Sequence, residues 1–455
     1  MLRLIGGNMK RVLLITMILI GTFALSQIHL EDSVTFGSEG DDVANDLVVL
    51  SDGKLLLVGY TTSFSGELGS SKGEEDFLIL KLDERLRIIW SKTYGGSGRD
   101  IAEAVLETSD GEIVVVGLTE SSDGDVSESD KLGDFWVVKL SPTGELLWEK
   151  TFGGSSQDHA YDVVESPSGN ILVAGYTRSP DGDIEGHVWG EDFWIVEILP
   201  SGQVLKQWVM DGGNNNEDLA RKLFVNEMGD ILITGYTAYK DVGISCNYVN
   251  EQAALAIIHA EGISSYYAFG GMYLEDGYDV LASGETIVIV GEQDAGISMF
   301  STGLGGKDFY VVAIGEKGQE LWSENYGGTF TDIARVVKPF GASDLLVAGH
   351  TTSQDIDIED PLGMTDGWII VVNENGELVE SLSVGGSADD FILSGVNYGE
   401  KYIFCGCSTS SDGDLESNKG RKDIWLITLG KQIRSSDLKL GLVPNKIKLG
   451  GVSIA

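Results

Sequence analysis

An all-β fold built from seven repeats is predicted by three observations on the 455-residue sequence. A short turn with two adjacent glycines and a closing aspartate recurs along the chain, as in TYGGSGRD at 93–100 and TFGGSSQD at 151–158. Each turn is followed by short β-branched runs that are separated by hairpin signals such as Asp-Gly and Pro-Thr-Gly. No stretch shows a convincing helical period.

The repeat unit is about 58 residues long and reads as four short strands. The closing aspartates of the glycine turns are separated by 58, 58, 60, 58, 56 and 58 residues. They are Asp42, Asp100, Asp158, Asp218, Asp276, Asp332 and Asp390. A fixed interval of this length indicates a repeat architecture in which each unit is one supersecondary element.

The second strand of each unit is apolar without alternation, as in IVVVG at 113–117 and ILVAG at 171–175. A strand that is apolar on both faces must be covered on both faces. Four-stranded sheets meet this need when they stack around an axis, so that each sheet covers the next. The sequence therefore predicts a seven-bladed β-propeller of four-stranded antiparallel blades.

Three residue columns fit this geometry. Alanines two residues after the closing aspartate are expected where the first strands crowd the axis, and bulky rings on the fourth strands are expected to fill the wedge between blades. Glycines that end the second strands indicate a bulge or a close backbone approach. The columns are Ala44, Ala102, Ala160, Ala220 and Ala334; Trp90, Trp148 and Trp322; and Gly59, Gly117, Gly175, Gly235, Gly291, Gly349 and Gly406.

The two ends of the repeat region predict how the ring closes. Residues 28–37 match a fourth strand without the first three, and the last unit supplies three strands before the pattern is lost near residue 430. We therefore expect the N-terminal strand to complete the last blade, which removes exposed sheet edges. The propeller would span 27–430, and the basic, non-repeat tail at 431–455 has no predicted place.

The first 26 residues have the pattern of an export signal. Two basic residues, Lys10 and Arg11, precede an apolar run from Val12 to Leu25 and small residues near the expected cleavage after Ser26. Met9 is an alternative start to Met1. No second apolar run of about 18 residues follows, so no membrane insertion is expected after cleavage. The expected location is secreted, periplasmic or at the cell envelope.

The units resemble the bacterial seven-bladed β-propeller repeat family. The resemblance is carried by YGG…D turns paired with strands of the DG-x-VVVG-x-T type, as in TYGGSGRDIAEAVLETSDGEIVVVGLTESSD from residue 93. It covers about 400 residues and is weaker in units four and five. It implies a propeller fold and export, and it implies little about activity.

Composition excludes two classes of function. A net charge of −40 repels nucleic acid and anionic lipid. The three cysteines, Cys246, Cys405 and Cys407, have no metal-ligand spacing and indicate no disulfide framework. Cys405 and Cys407 are expected to be packing residues. The protein is expected to be a monomer.

The glycine turns look like phosphate loops, but a feature present in every unit is better explained by blade construction.

Four loops between the second and third strands are candidates for Ca²⁺, because each holds an Asp-x-Asp pair and a third aspartate nine residues later. The alternative is Asx-turn chemistry on a solvated loop. The residues are Asp123, Asp125 and Asp134; Asp181, Asp183 and Asp192; Asp355, Asp357 and Asp366; and Asp412, Asp414 and Asp423.

Catalytic and cofactor signals are thin. No G-x-S-x-G, H-E-x-x-H, C-x-x-C or Walker motif is present, and His159, His187 and His350 are isolated.

The strongest break in the repeat is in unit four, where a polar and aromatic insertion has a composition suited to recognition. The candidate ligand-binding residues there are Tyr239, Lys240, Asn247, Tyr248, Tyr266 and Tyr267.

These observations predict an exported, non-enzymatic binding scaffold with an unknown protein or glycan partner, stabilised by Ca²⁺ if the acidic loops are metal sites. The alternative is an extracellular hydrolase or lyase that acts on a polymer and has its site on the acidic loop face.

Overall fold

The computed structural model describes residues 28–127, 129, 132–185, 190–210, 216–226, 228–237, 252–259, 262–269, 275–294, 305–315, 318–415, 417–431, 441–443, 446–449 and 452–454. Every regular element in these ranges is a β-strand. A helix with the length and hydropathy needed to cross a bilayer does not occur in them. The predicted export signal lies outside the described residues.

The strands follow one another at short intervals. In chain order they are β1 (Ile28–Phe36), β2 (Asp42–Val49), β3 (Leu55–Thr61), β4 (Asp76–Leu82), β5 (Ile88–Tyr94), β6 (Asp100–Glu107), β7 (Ile113–Thr119), β8 (Asp134–Leu140), β9 (Leu146–Phe152), β10 (Asp158–Glu165), β11 (Ile171–Thr177), β12 (Gly190–Ile198), β13 (Val204–Met210), β14 (Asn216–Val225), β15 (Ile231–Thr237) and β16 (Gln252–His259). They continue as β17 (Gly262–Phe269), β18 (Glu275–Ser283), β19 (Thr286–Asp294), β20 (Lys307–Gly315), β21 (Glu320–Tyr326), β22 (Asp332–Phe340), β23 (Asp344–Thr351), β24 (Asp366–Val372), β25 (Leu378–Val384), β26 (Asp390–Tyr398), β27 (Lys401–Ser408), β28 (Asp423–Lys431), β29 (Gly441–Val443), β30 (Lys446–Leu449) and β31 (Val452–Ile454).

Strands β1–β28 form four-stranded antiparallel units, as the sequence predicts. Units one to six are β2–β5, β6–β9, β10–β13, β14–β17, β18–β21 and β22–β25, each paired in chain order. Unit seven has the order β26-β27-β28-β1, because the N-terminal strand β1 pairs antiparallel with β28. Units three and four are joined by a short parallel pairing of β12 with β14. The tail, which had no predicted place, contains the three-stranded sheet β29-β30-β31.

The apolar core lies between neighbouring units. Seven clusters of buried side chains join units one and two, two and three, and so on to six and seven, and the last cluster joins seven and one. In three of them a phenylalanine on the third strand of one unit packs on a buried tryptophan of the next, with ring centroids 4.4–4.5 Å apart. Continuous apolar strands are thus covered on both faces, as the sequence requires. The chain is an all-β protein of repeated four-stranded sheets with propeller construction.

The predicted tryptophan column fills the space between units. Trp90, Trp148 and Trp322 belong to the fourth strands, and each lies against the third turn of the next unit. The Nε1 of Trp148 donates to the Pro200 carbonyl at 3.2 Å, and the Nε1 of Trp322 donates to the Glu374 carbonyl at 3.0 Å. This prediction is confirmed.

Every first strand carries a β-bulge opposite the glycine of the second strand. In β10 the register shifts between Ala160 and Asp162, so Tyr161 is the extra residue, and the same shift occurs in the other six first strands. A Cβ added at Gly175 would lie 1.9 Å from the His159 carbonyl oxygen. The close backbone approach and the bulge that the glycine column predicts are both present.

The expectation that the alanine column lies at the axis is wrong: these side chains pack between the units, and the bulged residue that follows each alanine lines the cavity instead. Ala44, Ala102, Ala160, Ala220 and Ala334 are buried members of the clusters between neighbouring sheets.

Unit five differs by one residue from the predicted repeat. Gly277 pairs with Gly291 as Ala160 pairs with Gly175, so Glu275 takes the place that the sequence assigns to Asp276. Gln293 donates to the Glu275 carboxylate at 2.8 Å and takes the place of the threonine or serine hydroxyl that donates to the closing aspartate in units one, two, six and seven. Because both members of this hydrogen-bonded pair differ from those of the other units, the sequence repeat alone assigns the closing position to Asp276 and not to Glu275.

Cys405 and Cys407 are both buried and free, in agreement with the packing role expected from the sequence. Burial raises the pKa of the Cys407 thiol to about 12.

We expect Gly117→Ala to lower the free energy of unfolding by about 3 kcal/mol or more, because the new methyl group would lie 1.9 Å from the Ile101 carbonyl oxygen. Gly111→Ala is the control. Gly111 has φ +84° and nothing within 4 Å of an added Cβ, so its loss costs about 1 kcal/mol. Urea unfolding followed by tryptophan fluorescence measures both, and equal effects would contradict the steric role of the second-strand glycine.

Candidate functional site

The glycine turns are filled by the protein's own side chains. In the turn at 95–98, four consecutive backbone N–H groups are used: Gly95 donates to Asp125 Oδ2 at 3.1 Å, Gly96 to Asp100 Oδ2 at 2.8 Å, Ser97 to Asp123 Oδ1 at 2.7 Å, and Gly98 to Ser121 Oγ at 2.8 Å. Phosphate loops bind their ligand through free N–H groups of this kind. The structural role that the repeat predicts for this turn is confirmed.

The same four bonds occur in three further turns. Their lengths are 2.6–3.2 Å. The donors and acceptors are Gly153 to Asp183, Gly154 to Asp158, Ser155 to Asp181 and Ser156 to Ser179; Gly327 to Asp357, Gly328 to Asp332, Thr329 to Asp355 and Phe330 to Ser353; and Gly385 to Asp414, Gly386 to Asp390, Ser387 to Asp412 and Ala388 to Ser410.

The structure divides the predicted aspartate triads between neighbouring turns. Asp123 and Asp125 cap the turn at 95–98, whereas the carboxylate of Asp134 lies beside Gly153 in the next turn. Asp423 likewise lies beside Gly37, and Asp192 and Asp366 are buried at the start of their third strands. The aspartates that are close in sequence therefore do not form one group in space.

Hydrogen bonds and burial shift the pKa of these carboxylates in opposite directions. N–H donation from Ser155 and from Ser387 lowers the pKa of Asp181 and Asp412, and Thr329 does the same for Asp355. Burial raises the pKa of Asp76 to about 6, and Asp100 beside it adds to the rise. Within the described ranges, no group of three or more Asp, Glu, His or Cys side chains is arranged to hold a metal ion.

The middle residue of each Asp-x-Asp pair has left-handed backbone geometry. Gly124, Gly182 and Gly413 have φ of +70°, +74° and +67°, and the carbonyl oxygen of the glycine turn lies close to each. In unit six the same position is Ile356, with φ +62°. A β-branched residue in this conformation is strained.

The seven bulged residues converge on one central cavity. The cavity has a volume of about 700 Å³ and is lined by the first strands of all seven units. Its volume is within the range of small-molecule sites. The bulged residues are Asn45, Glu103, Tyr161, Arg221, Tyr278, Arg335 and Leu393.

The cavity differs in charge from the rest of the chain. Four acidic and four basic side chains line it, whereas the whole sequence has 71 acidic and 31 basic residues. The acidic ones are Asp46, Glu103, Asp162 and Asp279, and the basic ones are Arg221, Lys222, Arg335 and Lys338.

In units one, three and five the residue after the bulged one is an aspartate, and this aspartate links its unit to the next. Asp162 Oδ2 accepts from the Leu223 N–H of the next unit at 2.7 Å, and its Oδ1 contacts Lys222 Nζ at 2.9 Å. Asp279 makes the equivalent bonds to the Val337 N–H at 2.9 Å and to Lys338 at 3.1 Å. These carboxylates hold the first strands of consecutive units together on the cavity wall.

Aromatic and guanidinium groups alternate on one side of the cavity. The Cζ of Arg221 is 5.3 Å from the Tyr161 ring centroid and 4.6 Å from that of Tyr278, and the Cζ of Arg335 is 3.9 Å from the Tyr278 centroid. Arg221 also binds Asp276 through two nitrogens at 2.8 and 2.9 Å. Units three to six thus present a continuous Tyr161–Arg221–Tyr278–Arg335 series, named here the cation–π series.

Two of the three predicted histidines are described. His159 is buried, stacks on Tyr161 with centroids 4.3 Å apart, and contacts Glu103 through Nε2 at 3.0 Å. His350 packs against Phe391, and burial, together with the charge of Arg335, lowers its pKa to about 3. His187 lies outside the described residues.

Most of the predicted unit-four site lies outside the described residues. This part comprises Tyr239, Lys240, Asn247 and Tyr248. Tyr266 belongs to β17, and its side chain is not described. Tyr267 packs partly buried against the cluster between units four and five and lies against Gly318.

Sequence reasoning missed the cavity residues, although a signal was present. With unit five aligned through Glu275, the position after the alanine column reads Asn, Glu, Tyr, Arg, Tyr, Arg and Leu in the seven units, while the position before it is alanine in five of them. A position that varies inside a repeated scaffold is free of the scaffold's own packing demands.

Comparisons with known proteins give structural similarity only. No family model matches the chain, and no curated protein matches it. The WD40 domain of Neurospora crassa Pan2 is 14% identical, with 90% of this chain and 98% of that chain covered and a TM-score of 0.49. The WD40 β-propeller domain of Doa1 is 10% identical, with 91% and 99% covered and a TM-score of 0.49. Drosophila Plexin A in complex with Semaphorin 1b is 10% identical, with 89% and 88% covered and a TM-score of 0.46.

We expect Ile356→Gly to raise the free energy of unfolding by about 1 kcal/mol, because glycine adopts φ +62° without strain. The reciprocal change, Gly413→Ile at the same position of unit seven, should lower it by about 1–3 kcal/mol. Urea midpoints of the two variants and the wild type measure the pair. A loss of stability in Ile356→Gly would contradict the assigned strain.

Proposed function

We propose that this protein is an exported, seven-bladed, closed β-propeller that acts as a non-enzymatic binding scaffold and recognises its partner at the central cavity. The single observation that carries the proposal is the set of seven bulged side chains. Each unit uses the same bulge and the same glycine to point one side chain inwards, yet the residue differs from unit to unit. A recognition surface needs this variation, and the scaffold does not.

Closure of the propeller is supported by β1. The Nε1 of Trp425 donates to Ser33 Oγ of β1 at 2.9 Å, as Trp368 donates to Ser381 Oγ of the fourth strand of unit six at 2.9 Å. Strand β1 therefore supplies the fourth-strand partner that a buried indole N–H requires. Export and an envelope or extracellular location follow from the proposed signal at 1–26.

A binding role fits the state of the polar groups in the cavity. Asp46, Asp162 and Asp279 each accept a backbone N–H bond from the next unit. A general base needs a carboxylate free to take a proton from a substrate. These three are engaged in holding the units together.

The polymer-acting enzyme is kept as the second candidate because of one pair. His159 and Glu103 contact each other at 3.0 Å, and Glu103 lines the cavity. A histidine paired with a carboxylate is a familiar acid–base arrangement. If the enzyme proposal holds, His159→Gln abolishes turnover of polysaccharide or peptide substrates.

The test of the binding proposal blocks the cavity without changing its charge. Asn397 is exposed and lines the cavity, whereas Asn375 is exposed on a distant turn. We expect the immobilised full chain and Asn375→Trp to retain the same envelope component of the source organism, identified by mass spectrometry, and Asn397→Trp to lose it at least tenfold (about 1.4 kcal/mol). Equal retention by both variants would refute the cavity as the recognition site. Polysaccharide or peptide turnover by the wild type would favour the enzyme.

Calcium binding at the Asp-x-Asp loops stays a prediction in competition with turn capping. The measurement is a thermal melt of the chelated full chain with and without millimolar Ca²⁺, with Mg²⁺ as the control. Since the loop carboxylates already accept backbone N–H bonds, we expect turn capping to dominate and the midpoint to stay unchanged. A calcium-selective rise would show that the native state binds the ion, and Asp412→Asn should then reduce it.

A further inference from the structure

The basic groups of the central cavity are neutralised unequally. Lys222 contacts Asp162, Lys338 contacts Asp279, and Arg221 contacts Asp276. Arg335 has no hydrogen-bond or ion-pair partner among the described residues, and its Nε is buried without an acceptor.

The acidic groups of the same cavity leave no counterion for Arg335. Asp46 accepts from the Val105 N–H and from Ser394, and Glu103 accepts from His159 and Asn45. Asp162 and Asp279 are each bound to a lysine and to a backbone N–H. Every acidic side chain that lines the cavity is therefore engaged elsewhere.

Arg335 is held in place despite this missing partner. Its guanidinium stacks on Tyr278, whose ring also carries Arg221. A stacked guanidinium loses less freedom when it binds a ligand, and its planar fork matches a carboxylate or a phosphate. The buried Nε, which has no acceptor among the described residues, costs free energy in the folded protein.

The neighbouring His350 adds no second positive charge beside Arg335. The buried His350 remains uncharged because burial and the charge of Arg335 lower its pKa to about 3. Its Nδ1 is also buried without a hydrogen-bond partner. Two buried polar atoms on one side of unit six, the Nε of Arg335 and the Nδ1 of His350, thus have no hydrogen-bond partner among the described residues.

We propose that the central cavity binds an oxyanion group, a carboxylate or a phosphate, of a small organic ligand, and that Arg335 is the residue that binds it. The inference deepens the proposed function and rests on the cavity being the recognition site. The cavity volume of about 700 Å³ leaves room for a ligand body beyond the anionic group.

The experiment is isothermal titration calorimetry of the full chain at 0.15 M salt with glucuronate, inorganic phosphate and glucose. We expect binding of at least one anion and no binding of glucose. Heat with glucuronate alone assigns a carboxylate, and heat with phosphate alone assigns a phosphate. Arg335→Leu should weaken binding by about tenfold or more, and Arg335→Lys should weaken it less, because lysine keeps the charge but loses the bidentate fork. Arg85→Gln, an exposed arginine on a distant turn, is the control and should bind as the wild type does.

A second measurement separates binding from a structural role. Since Arg335 leaves a buried donor unsatisfied, we expect Arg335→Leu to have the same urea midpoint as the wild type or a higher one. A lower midpoint with unchanged anion binding would overturn the inference. So would the absence of heat with both anions. If Asn397→Trp still abolishes partner retention in that case, the oxyanion inference fails while the binding scaffold stands.

Discussion

The bulge in the first strand of each unit is the constraint on which the rest of the structure depends. It places one extra residue opposite the second strand, and only a glycine on that strand leaves room for the carbonyl that the bulge displaces. Gly175 beside the His159 carbonyl shows the fit. Bulges redirect side chains, and here the redirection separates two tasks. Ala160 packs between sheets, and Tyr161, the next residue, lines the cavity. The scaffold can therefore stay constant while its inner surface changes.

The acidic turns perform a different task at the start of the first strands. In four of the glycine turns four N–H donors meet four acceptors, as Asp123, Asp125 and Ser121 do together with Asp100. This internal satisfaction gives these loop aspartates a structural role that needs no ligand. It also gives meaning to the exceptions. The buried Nε of Arg335 has no acceptor supplied by the described part of the repeat, and it belongs to a cation on the cavity wall.

The sequence predicts the strands, the turns and the residue columns because these repeat. Periodic glycines and aspartates report a backbone demand that every unit shares, so the close approach at Gly117 and the cap at Asp100 could be derived from spacing. The cavity could not be derived in this way. Its side chains share a position but no chemistry, and a single bulged residue leaves no periodic pattern. The separation of the aspartates in space was not derivable from spacing either: Asp134 is close to Asp125 in sequence, but its carboxylate lies beside Gly153 in the next turn. The closing position of unit five was assigned to Asp276 and not to Glu275, because the acid and its hydrogen-bond partner Gln293 both differ from those of the other units.

The overall charge and the local site act over different distances. A net charge of −40 opposes the approach of any anion, and at low ionic strength that repulsion extends across the whole molecule. At physiological ionic strength the Debye length is about 8 Å, so acids on distant turns are largely screened. In the proposed role, Arg335 would act within hydrogen-bond distance, well inside the Debye length, where screening is weak. Its stacking partner Tyr278 is neutral, and the acids around the cavity are already engaged. If an anion binds as proposed, it would meet a field set by its immediate neighbours, and the acidity of the surface would then affect its association rate more than its affinity.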